Sequence, residues 1–415
     1  MAENESALKE IFKPEYYGKF KCDGQKCNAK CCRCGWRIYI DRKTYKKYSH
    51  LKPKNVAKEI TRNLAKCEDT DGYAIKLDED KSCPFLTEDN WCSIQRKYGE
   101  DFLSETCTTY PRYVWDFENF MECSLTLTCP VVAETVLLSK EPLKFERSVL
   151  SEKDLKSLKQ VKVNVKKLPP DLYGKCISIQ ETAISVLQER NLTIDQRLMV
   201  LGLYIDRLED LWANISLFDD IDKINVIYQK PDFRREQAAQ FSALISFDAT
   251  EHIKMMFGLL ETLYGEIKWQ FAEDRKFLEA VIDMYKLKNT EGQVETRELV
   301  KIYSSKNLER EKFIRQFSTI FENFLVNEFF LNTYPFKIED TSPTYNYGIF
   351  VAIYKMLEFF TFSTYLQNNS TEEDLLNQIM WYAGRIDHSP EYNKKIQDYV
   401  SDKSDIVEIM QILQV

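Results

Sequence analysis

The stretch Cys22-Asp-Gly-Gln-Lys-Cys27-Asn-Ala-Lys-Cys31-Cys32-Arg-Cys34 sets the organisation of the chain, because it holds five cysteines in thirteen residues. Eleven of the twelve cysteines lie between Cys22 and Cys129. Cysteines spaced this closely are typical of a bound metal ion or an iron–sulfur cluster. A disulfide scaffold belongs instead to small secreted chains. At 415 residues, this chain has room for two or three domains.

Composition narrows the class of protein. The first residues, MAENESALKE, are polar and contain no apolar segment of a secretory signal, so we expect a cytoplasmic protein with reduced thiols. A net charge of −8 argues against a nucleic-acid partner. No apolar run reaches the length of a bilayer span, which predicts no membrane segment. The twelve glycines form no dinucleotide-binding or phosphate-binding loop.

The cysteine spacing favours an iron–sulfur cluster over zinc. Zinc fingers and ribbons use paired two-residue knuckles, and here only Cys31-x2-Cys34 has that spacing. Only three histidines are present, none at ligand spacing from another, which disfavours a histidine-rich catalytic zinc site. A structural zinc site and no metal at all both stay open. Isolated cysteines are usually small buried hydrophobes, the reading we give to Cys67, Cys123 and Cys176.

One spacing coincides with a different enzyme class. Cys27-x3-Cys31-x2-Cys34 matches the cluster loop of radical S-adenosylmethionine enzymes. That loop normally precedes a barrel of alternating strands and helices, whereas the rest of this chain is helical and poor in glycine. We therefore interpret the match as accidental and keep a radical enzyme as a competing hypothesis.

The first part of the chain, residues 1–138, predicts a mixed α+β domain. Alternating patterns indicate strands at 36–41, 72–77 and 120–127. A helical stretch follows the first strand and is interrupted near Pro53. Cys129-Pro130 opens an apolar helix that continues to Leu138, with the proline suited to the first helical turn.

Residues 139–170 form a basic linker in this interpretation, and residues 171–415 form a helical domain. The linker carries nine positive charges between Lys140 and Lys167. Beyond it, apolar side chains recur at helical spacing, which predicts core-facing helices, among them 194–213, 306–331, 349–366 and 374–386. The predicted fold class is mainly α: a small cysteine-rich α+β N-terminal domain that binds a metal cluster, and a larger all-α C-terminal domain.

Several segments together resemble the flagellin lysine-N-methylase family, FliB, within a wider set of cysteine-cluster proteins described as zinc or iron chelators. Cys34 departs from the family pattern, as do Phe324 and Asp387, where tyrosine and glutamate are expected. The matching segments are Phe20-Lys-Cys22, Cys27-Asn-Ala-Lys-Cys31-Cys32, Gly35-Trp36, Ile40-Asp41, Thr44-Tyr45, Tyr48, Cys83-Pro-Phe-Leu86, Trp91-Cys92-Ser-Ile94, Gly99-Glu100, Leu103-Ser104, Thr106-Cys107, Tyr110-Pro-Arg112, Ser124–Pro130, Glu322–Glu328, Pro335-Phe336 and Arg385–His388.

The resemblance implies a cytoplasmic lysine N-methyltransferase that uses S-adenosylmethionine, contains a [4Fe-4S] cluster and acts on flagellin. The alternative is a non-enzymatic zinc- or iron-binding module that holds a flagellar client protein. A four-iron cluster needs four ligands, and a narrow choice is Cys27, Cys31, Cys83 and Cys107. The full set of family-like cysteines is Cys22, Cys27, Cys31, Cys32, Cys83, Cys92, Cys107 and Cys129.

Methyl transfer to lysine requires removal of the ammonium proton, so the active site needs a base or a desolvating pocket. We expect Glu322, Tyr110 and His388 as catalytic residues. Asp387 is a further candidate base, and Tyr382 could join Tyr110 along an aromatic lysine channel. The expected cofactor-binding residues are Arg112, Trp36 and Asn323, with the Arg112 guanidinium suited to a carboxylate.

Overall fold

The computed structural model describes residues 9–412, except 159–160, 169–171, 173, 213–219, 267–271, 288–293, 339–340, 402 and 404. The chain forms two compact units. The first comprises residues 1–135 and 144–166, and the second comprises residues 136–143 and 167–415. Helices predominate, which confirms the mainly helical fold class.

The first unit is built on two small sheets. The larger has the strand order β7-β1-β6-β5-β8 and the smaller the order β2-β4-β3. Strands β5 and β6 form an antiparallel hairpin, while β1 runs parallel to β6 and β8 runs parallel to β5. The strands are β1 (Glu10–Pro14), β2 (Tyr39–Ile40), β3 (Leu64–Lys66), β4 (Tyr73–Ile75), β5 (Arg112–Asp116), β6 (Phe120–Leu125), β7 (Phe145–Val149) and β8 (Val163–Val165).

Short helices connect these strands. Isolated helices of this length are marginal in water, so they depend on packing and on their caps. They are α1 (Glu15–Lys19), α2 (Lys30–Arg33), α3 (Arg42–Ser49), α4 (Lys54–Arg62), α5 (Ser93–Tyr98), α6 (Glu105–Thr109), α7 (Pro130–Leu137) and α8 (Glu152–Leu158), with a 3₁₀ turn at Glu100–Phe102. The three predicted strands match β2, β4 and β6, although β2 and β4 are shorter than predicted.

The segment expected to be a basic linker has regular structure. Strand β7 pairs antiparallel with β1 at one edge of the larger sheet, and β8 pairs with β5 at the other. Between them, Asp154 on α8 lies 3.6 Å from the Nζ of Lys13 on β1. Residues 144–166 therefore belong to the first unit, and the charges of this segment lie on folded elements. Residues 159–160 and 169–170 of the expected linker lie outside the described residues.

The second unit is all helical in the residues that the structure describes. Its helices are α9 (Cys176–Leu187), α10 (Ile194–Trp212), α11 (Asp220–Tyr228), α12 (Pro231–Leu244), α13 (Ala249–Glu266), α14 (Ala272–Met284), α15 (Thr296–Ser304), α16 (Asn307–Gln316), α17 (Ser318–Leu331), α18 (Pro343–Asn368), α19 (Glu372–His388), α20 (Pro390–Ser401) and α21 (Ile406–Gln411). Helices α10, α18 and α19 confirm three of the four predicted helices, with Ala213 outside the described residues.

The fourth predicted helix, 306–331, is divided in two. Backbone dihedrals leave the helical range at Phe317, whose φ is −107° and ψ 19°, so that α16 ends and α17 begins there. Phe317 is buried and its ring lies 5.4 Å from that of Phe313. The break lets α17 turn wholly inward, since every residue from Ile320 to Leu331 is buried. The apolar periodicity of the sequence continues through this turn, which is why it predicts a single helix.

Helix α18 corrects the expectation that no segment reaches the length of a bilayer span. Residues Pro343–Gln367 are long and apolar enough to cross a membrane by length and composition. Within the protein, however, 89% of that apolar window is buried. The same side chains thus serve as the central core of the helical unit, as expected for a helix that is apolar on all faces.

Candidate metal centre

Four short elements of the first unit bring cysteines together. Helix α2 carries Cys32, and its entry is shaped by Asn28 and Ala29, both in the left-handed backbone region with φ of 52° and 49°. The Cys83 amide donates to the Cys32 carbonyl at 2.9 Å, which ties the second cysteine segment to the first. These local contacts fix the segments of Cys32 and Cys83, which lie outside the strands of both sheets.

The remaining two segments are fixed by helix starts. Cys92 is the N-cap residue of α5. Cys107 lies in α6, where its amide donates to the side chain of the N-cap residue Ser104 at 3.3 Å. A serine cap satisfies an amide that a helix cannot pair internally. Each of these cysteines is therefore held by a backbone constraint close to it in sequence.

These elements enclose a cavity of about 110 Å³. A site of about 10–15 Å³ already holds one water, so this one has room for a larger group. Ile38, Ile40 and Phe85 supply part of an apolar wall, while Glu100 and Arg112 bring charge to it. The cysteines that line the cavity are Cys22, Cys32, Cys83, Cys92 and Cys107.

The other three expected metal ligands lie nearby but do not line the cavity. The Sγ of Cys31 is 4.0 Å from that of Cys32. Cys27 and Cys129 are close enough to Cys22 for their charges to raise the pKa of its thiol. Every one of the twelve cysteines lies in a described part of the chain and carries a free thiol. Of the narrow choice, Cys83 and Cys107 reach the cavity, whereas Cys27 and Cys31 do not.

Burial keeps most of these cysteines in the protonated thiol form when no metal is bound. It raises the pKa of Cys22 and of Cys107 to about 12, and it also raises the pKa of Cys83 and Cys92. Cys32 is the exception, because its hydrogen bond with Cys31 lowers its pKa. Thiolates are the metal-binding form. A cation in this cavity would therefore displace protons from most of these cysteines as it bound.

The side chains that line the cavity have the chemistry that a sulfur-preferring metal group requires. Its candidate ligands are thiols with no histidine among them, the chemistry that suits iron–sulfur clusters and other soft sites. Within the described ranges, no three histidine, cysteine, aspartate or glutamate side chains are already arranged to hold a metal ion. The cysteines thus converge on one cavity without forming closed coordination geometry.

Three expected site residues lie in this unit around the cavity. Tyr110 and Arg112 line it, and the ring of Trp36 meets that of Tyr110 edge-on at 4.9 Å. The hydroxyl of Thr128 donates to Tyr110 Oη at 3.3 Å, and burial raises the pKa of Tyr110. Arg112 donates to the carbonyl of Thr108 at 3.1 Å. Tyr110 and Arg112 therefore bring a phenol and a guanidinium to a thiol-lined space.

The other expected site residues lie in the helical unit. Buried Glu322 accepts hydrogen bonds from Arg190 and from Arg197, each with a shortest distance of 2.8 Å. The Asn323 amide donates to the carbonyl of Ser139 at 2.8 Å. His388 ends α19 and is exposed. Glu322 and Asn323 are thus engaged in holding the helical unit together.

Two groups of functional interest were missed from the sequence. Ser104 lines the cavity and caps the helix of Cys107, and the pattern Ser-x-x-Cys just before that cysteine was the available signal. In the helical unit, buried Glu328 lies near Lys337 and Asp387. Only the fold shows that proximity, because Lys337 and Asp387 are 50 residues apart in the chain.

The fold and the cavity define a two-unit protein in which a thiol-lined α+β unit accompanies an all-helical unit. Residues 180–414 match the family model of the FliB lysine N-methylase C-terminal domain. The chain therefore belongs to the FliB lysine N-methylase family, which confirms the resemblance seen in the sequence. No solved structure matches it.

Curated relatives match over part of the chain. The flagellar biosynthetic protein FliU of Salmonella muenchen is 33% identical over 130 residues, which are 31% of this chain and 76% of that protein. A lysine-N-methylase of Salmonella typhimurium is 33% identical over 149 residues, 35% of each chain. Another, of Salmonella choleraesuis, is 34% identical over 150 residues, again 35% of each. The matched stretch thus spans about a third of these lysine-N-methylases.

Proposed function

We propose that this protein transfers methyl groups from S-adenosylmethionine to lysine side chains of flagellin in the cytoplasm. The observation that carries the proposal is membership of the FliB lysine N-methylase family across 180–414. Two relatives bear the name lysine-N-methylase and a third is a flagellar biosynthetic protein. Together these names support a lysine-directed methyltransferase with a flagellar substrate.

The cysteine cavity supports an iron–sulfur cluster as part of this proposal. Cys22, Cys32, Cys83, Cys92 and Cys107 would supply the ligands, with Cys27, Cys31 and Cys129 close by. A bound cluster would offer the positive charge that keeps these thiols deprotonated. Arg112, on the wall of the same cavity, has the fork geometry that binds a carboxylate such as that of the methyl donor.

The experiment is anaerobic purification of the full chain, followed by metal and sulfide analysis and by incubation with S-adenosylmethionine and flagellin. Mass spectrometry of flagellin should show methylated lysines. Cys107→Ala should lose iron, sulfide and methylation, whereas Cys67→Ala, a buried cysteine outside the cavity, should keep all three. Unmodified flagellin, with the methyl donor unconsumed, would refute the proposed activity.

The second candidate function is a non-enzymatic module that holds a flagellar client. The cysteine-lined cavity supports this module as well as it supports an enzyme, because both could bind a metal there. Such a protein would bind flagellin and metal without consuming S-adenosylmethionine. Zinc in place of iron and sulfide would remove the cluster but leave this module intact. Release of 5′-deoxyadenosine during turnover would instead favour a radical route to the methylated lysine.

A further inference from the structure

Helix α17 carries two buried glutamates in different electrostatic settings. Glu322 is ion-paired with two arginines, as described above. Glu328, six residues later and only 5% exposed, accepts a hydrogen bond from the side-chain amide of Asn332 at 2.7 Å. The oxygens of Glu322 are thus occupied by two guanidinium groups, whereas Glu328 accepts its hydrogen bond from a neutral amide. Of the two, Glu328 is therefore suited to proton chemistry.

The groups around Glu328 come from two further parts of the helical unit. Lys337 and Tyr334 lie on the segment that follows α17, and Asp387 lies at the end of α19. The Nζ of Lys337 is 5.1 Å from the centre of the Tyr334 ring. Glu328 is close enough to the side chains of Lys337 and Asp387 for their charges to act on it. Tyr382 also lies within the field of Glu328.

The Tyr334 hydroxyl at this site is available to hydrogen-bond a ligand. Tyr334 Oη is fully buried and has no hydrogen-bond partner among the residues that the structure describes, yet Glu328 is near enough to raise its pKa. The neighbouring Tyr382 hydroxyl is already engaged with that of Tyr392 at 2.9 Å. A buried polar atom without a partner is costly, and it commonly marks a place where water or a ligand binds.

The backbone of this segment is strained in a way that brings the groups together. Thr333 is buried and has a φ of 55°. A β-branched residue rarely adopts this left-handed conformation, which persists only where the surroundings impose it. The turn is closed by hydrogen bonds from the Tyr334 amide to the Phe329 carbonyl at 2.9 Å and from the Phe336 amide to the Thr333 carbonyl at 2.7 Å.

Electrostatics give Glu328 a proton affinity suited to neutral pH. Burial, opposed by Lys337 and aided by Asp387, raises its pKa to about 7. Burial also lowers the pKa of the Lys337 ammonium. General bases work best when their pKa lies near the working pH. Lys337 and Asp387 are half-buried, whereas the Glu328 side chain is only 5% exposed.

We propose that Glu328 accepts the proton from the ε-ammonium of the substrate lysine, and that Asp387, Lys337 and Tyr334 line the site where this amine binds. The inference rests on the proposed function. An N–H bond of the ammonium breaks and its proton passes to the Glu328 carboxylate. The neutral amine then forms an N–C bond to the methyl group of the sulfonium, while the S–C bond breaks and the thioether leaves with its electron pair.

The test is the pH dependence of flagellin methylation by the full-length protein and its Glu328→Gln variant. We expect the variant to lose about 100-fold or more of the rate at neutral pH, the usual contribution of a general base. Its rate should recover as the pH rises toward the pKa of lysine. Glu298→Gln, an exposed carboxyl in the same unit, should behave as wild type. A folded Glu328→Gln protein with the wild-type rate and profile would overturn the proposal.

A second variant keeps the test decisive if Glu328→Gln does not fold. Lys337→Met removes the cation that lowers the pKa of Glu328, so the acidic limb of the profile should move to higher pH. An unmoved limb contradicts the assignment. If wild type transfers no methyl group, the proposed function and the proton-accepting role of Glu328 fail together, and flagellin binding then tests the remaining claim, that this site holds the substrate amine. Weaker binding by Glu328→Gln supports that claim, whereas equal affinity overturns it.

Discussion

The two units of this protein are stabilised in different ways. In the first, the helices that surround the cysteine cavity, α2, α5 and α6, have only four to six residues. In the second, helices of up to 26 residues bury their aromatic side chains against one another. Short helices gain little from their own hydrogen bonds. The comparison teaches that the second unit holds together through its own side chains, and it predicts that the first unit gains stability from the metal group proposed for its thiols.

The largest expected effect is loss of the proposed metal group from the first unit. In the full chain, removal of metal with a chelator should expose the cysteine loops to protease while the helical unit stays protected. Metal-binding energy is folding energy in such sites. Limited proteolysis with mass spectrometry of the fragments measures the difference.

A matched pair of substitutions separates the metal from the cysteine itself. Cys83→Ala, at the cavity, should reproduce the metal-free cleavage pattern, while Cys176→Ala, buried in the helical unit, should not. Equal protease resistance in the first unit with and without metal would show that its thiols contribute no cohesion.

The next effect lies in the helical unit, where Lys355, Glu358 and Arg310 are buried in an ion network and Asp195 is partly exposed. The Nζ of Lys355 is 2.7 Å from Asp195 and 3.0 Å from Glu358, and Arg310 donates to Glu358 at 2.8 Å. Lys355→Met leaves two carboxylates with one cation, which should cost about 3–5 kcal/mol of unfolding free energy. Urea denaturation measures it.

The control is an exposed pair in the same unit. Lys394 is 3.1 Å from Asp398, and both side chains are mostly exposed. Lys394→Met should change stability by less than about 1 kcal/mol. Similar losses for Lys355→Met and Lys394→Met would mean that burial of the network adds nothing to the stability of this unit.

A smaller effect depends on pH. The pKa of Glu328 is raised from 4.5 to about 7, so the folded state binds this proton more tightly than the unfolded state. The stabilisation is complete below pH 4.5 and is lost as the pH rises through 7, a change of about 3 kcal/mol in unfolding free energy. Urea denaturation of wild type and Glu328→Gln between pH 4.5 and 8 should show this slope as their difference. Parallel pH profiles would contradict it.

The sequence predicts more of the helical unit than of the first unit. Apolar stripes at helical spacing correctly predict α10, α18 and α19, because packing and helix period agree there. The apolar pattern does not predict the helix break at Phe317, because this residue is apolar and fits the stripe on either side. Residues 144–166 are polar and basic, so their pairing with strands β1 and β5 depends on partners distant in sequence.

The site shows the same limit. Cysteine density predicts that sulfur side chains gather, and five of them line one cavity. It does not predict which ones, because Cys31 and Cys32 are adjacent and only the local turn decides which reaches the cavity. The setting of Glu322 is likewise invisible in the sequence, since Arg190 and Arg197 lie more than 120 residues away.

The smallest expected effect compares one helix cap in each unit. Ser104 caps α6 and Thr371 caps α19, where its side chain and that of Asp374 bond each other's backbone amides. Replacing either residue with alanine should cost about 1 kcal/mol, the usual value of such a cap. Thermal denaturation of the two variants measures how much unfolding free energy each cap contributes to its unit.

Only one of these caps should also affect metal content. Ser104→Ala frees the amide of Cys107 and removes the side-chain hydrogen bond that lowers the pKa of its thiol, so metal affinity should fall. Thr371→Ala should leave metal content unchanged, and Ser104→Thr should keep the wild-type content because the capping oxygen remains. Equal metal content in Ser104→Ala and wild type would mean that the cap stabilises α6 without positioning Cys107 for the metal.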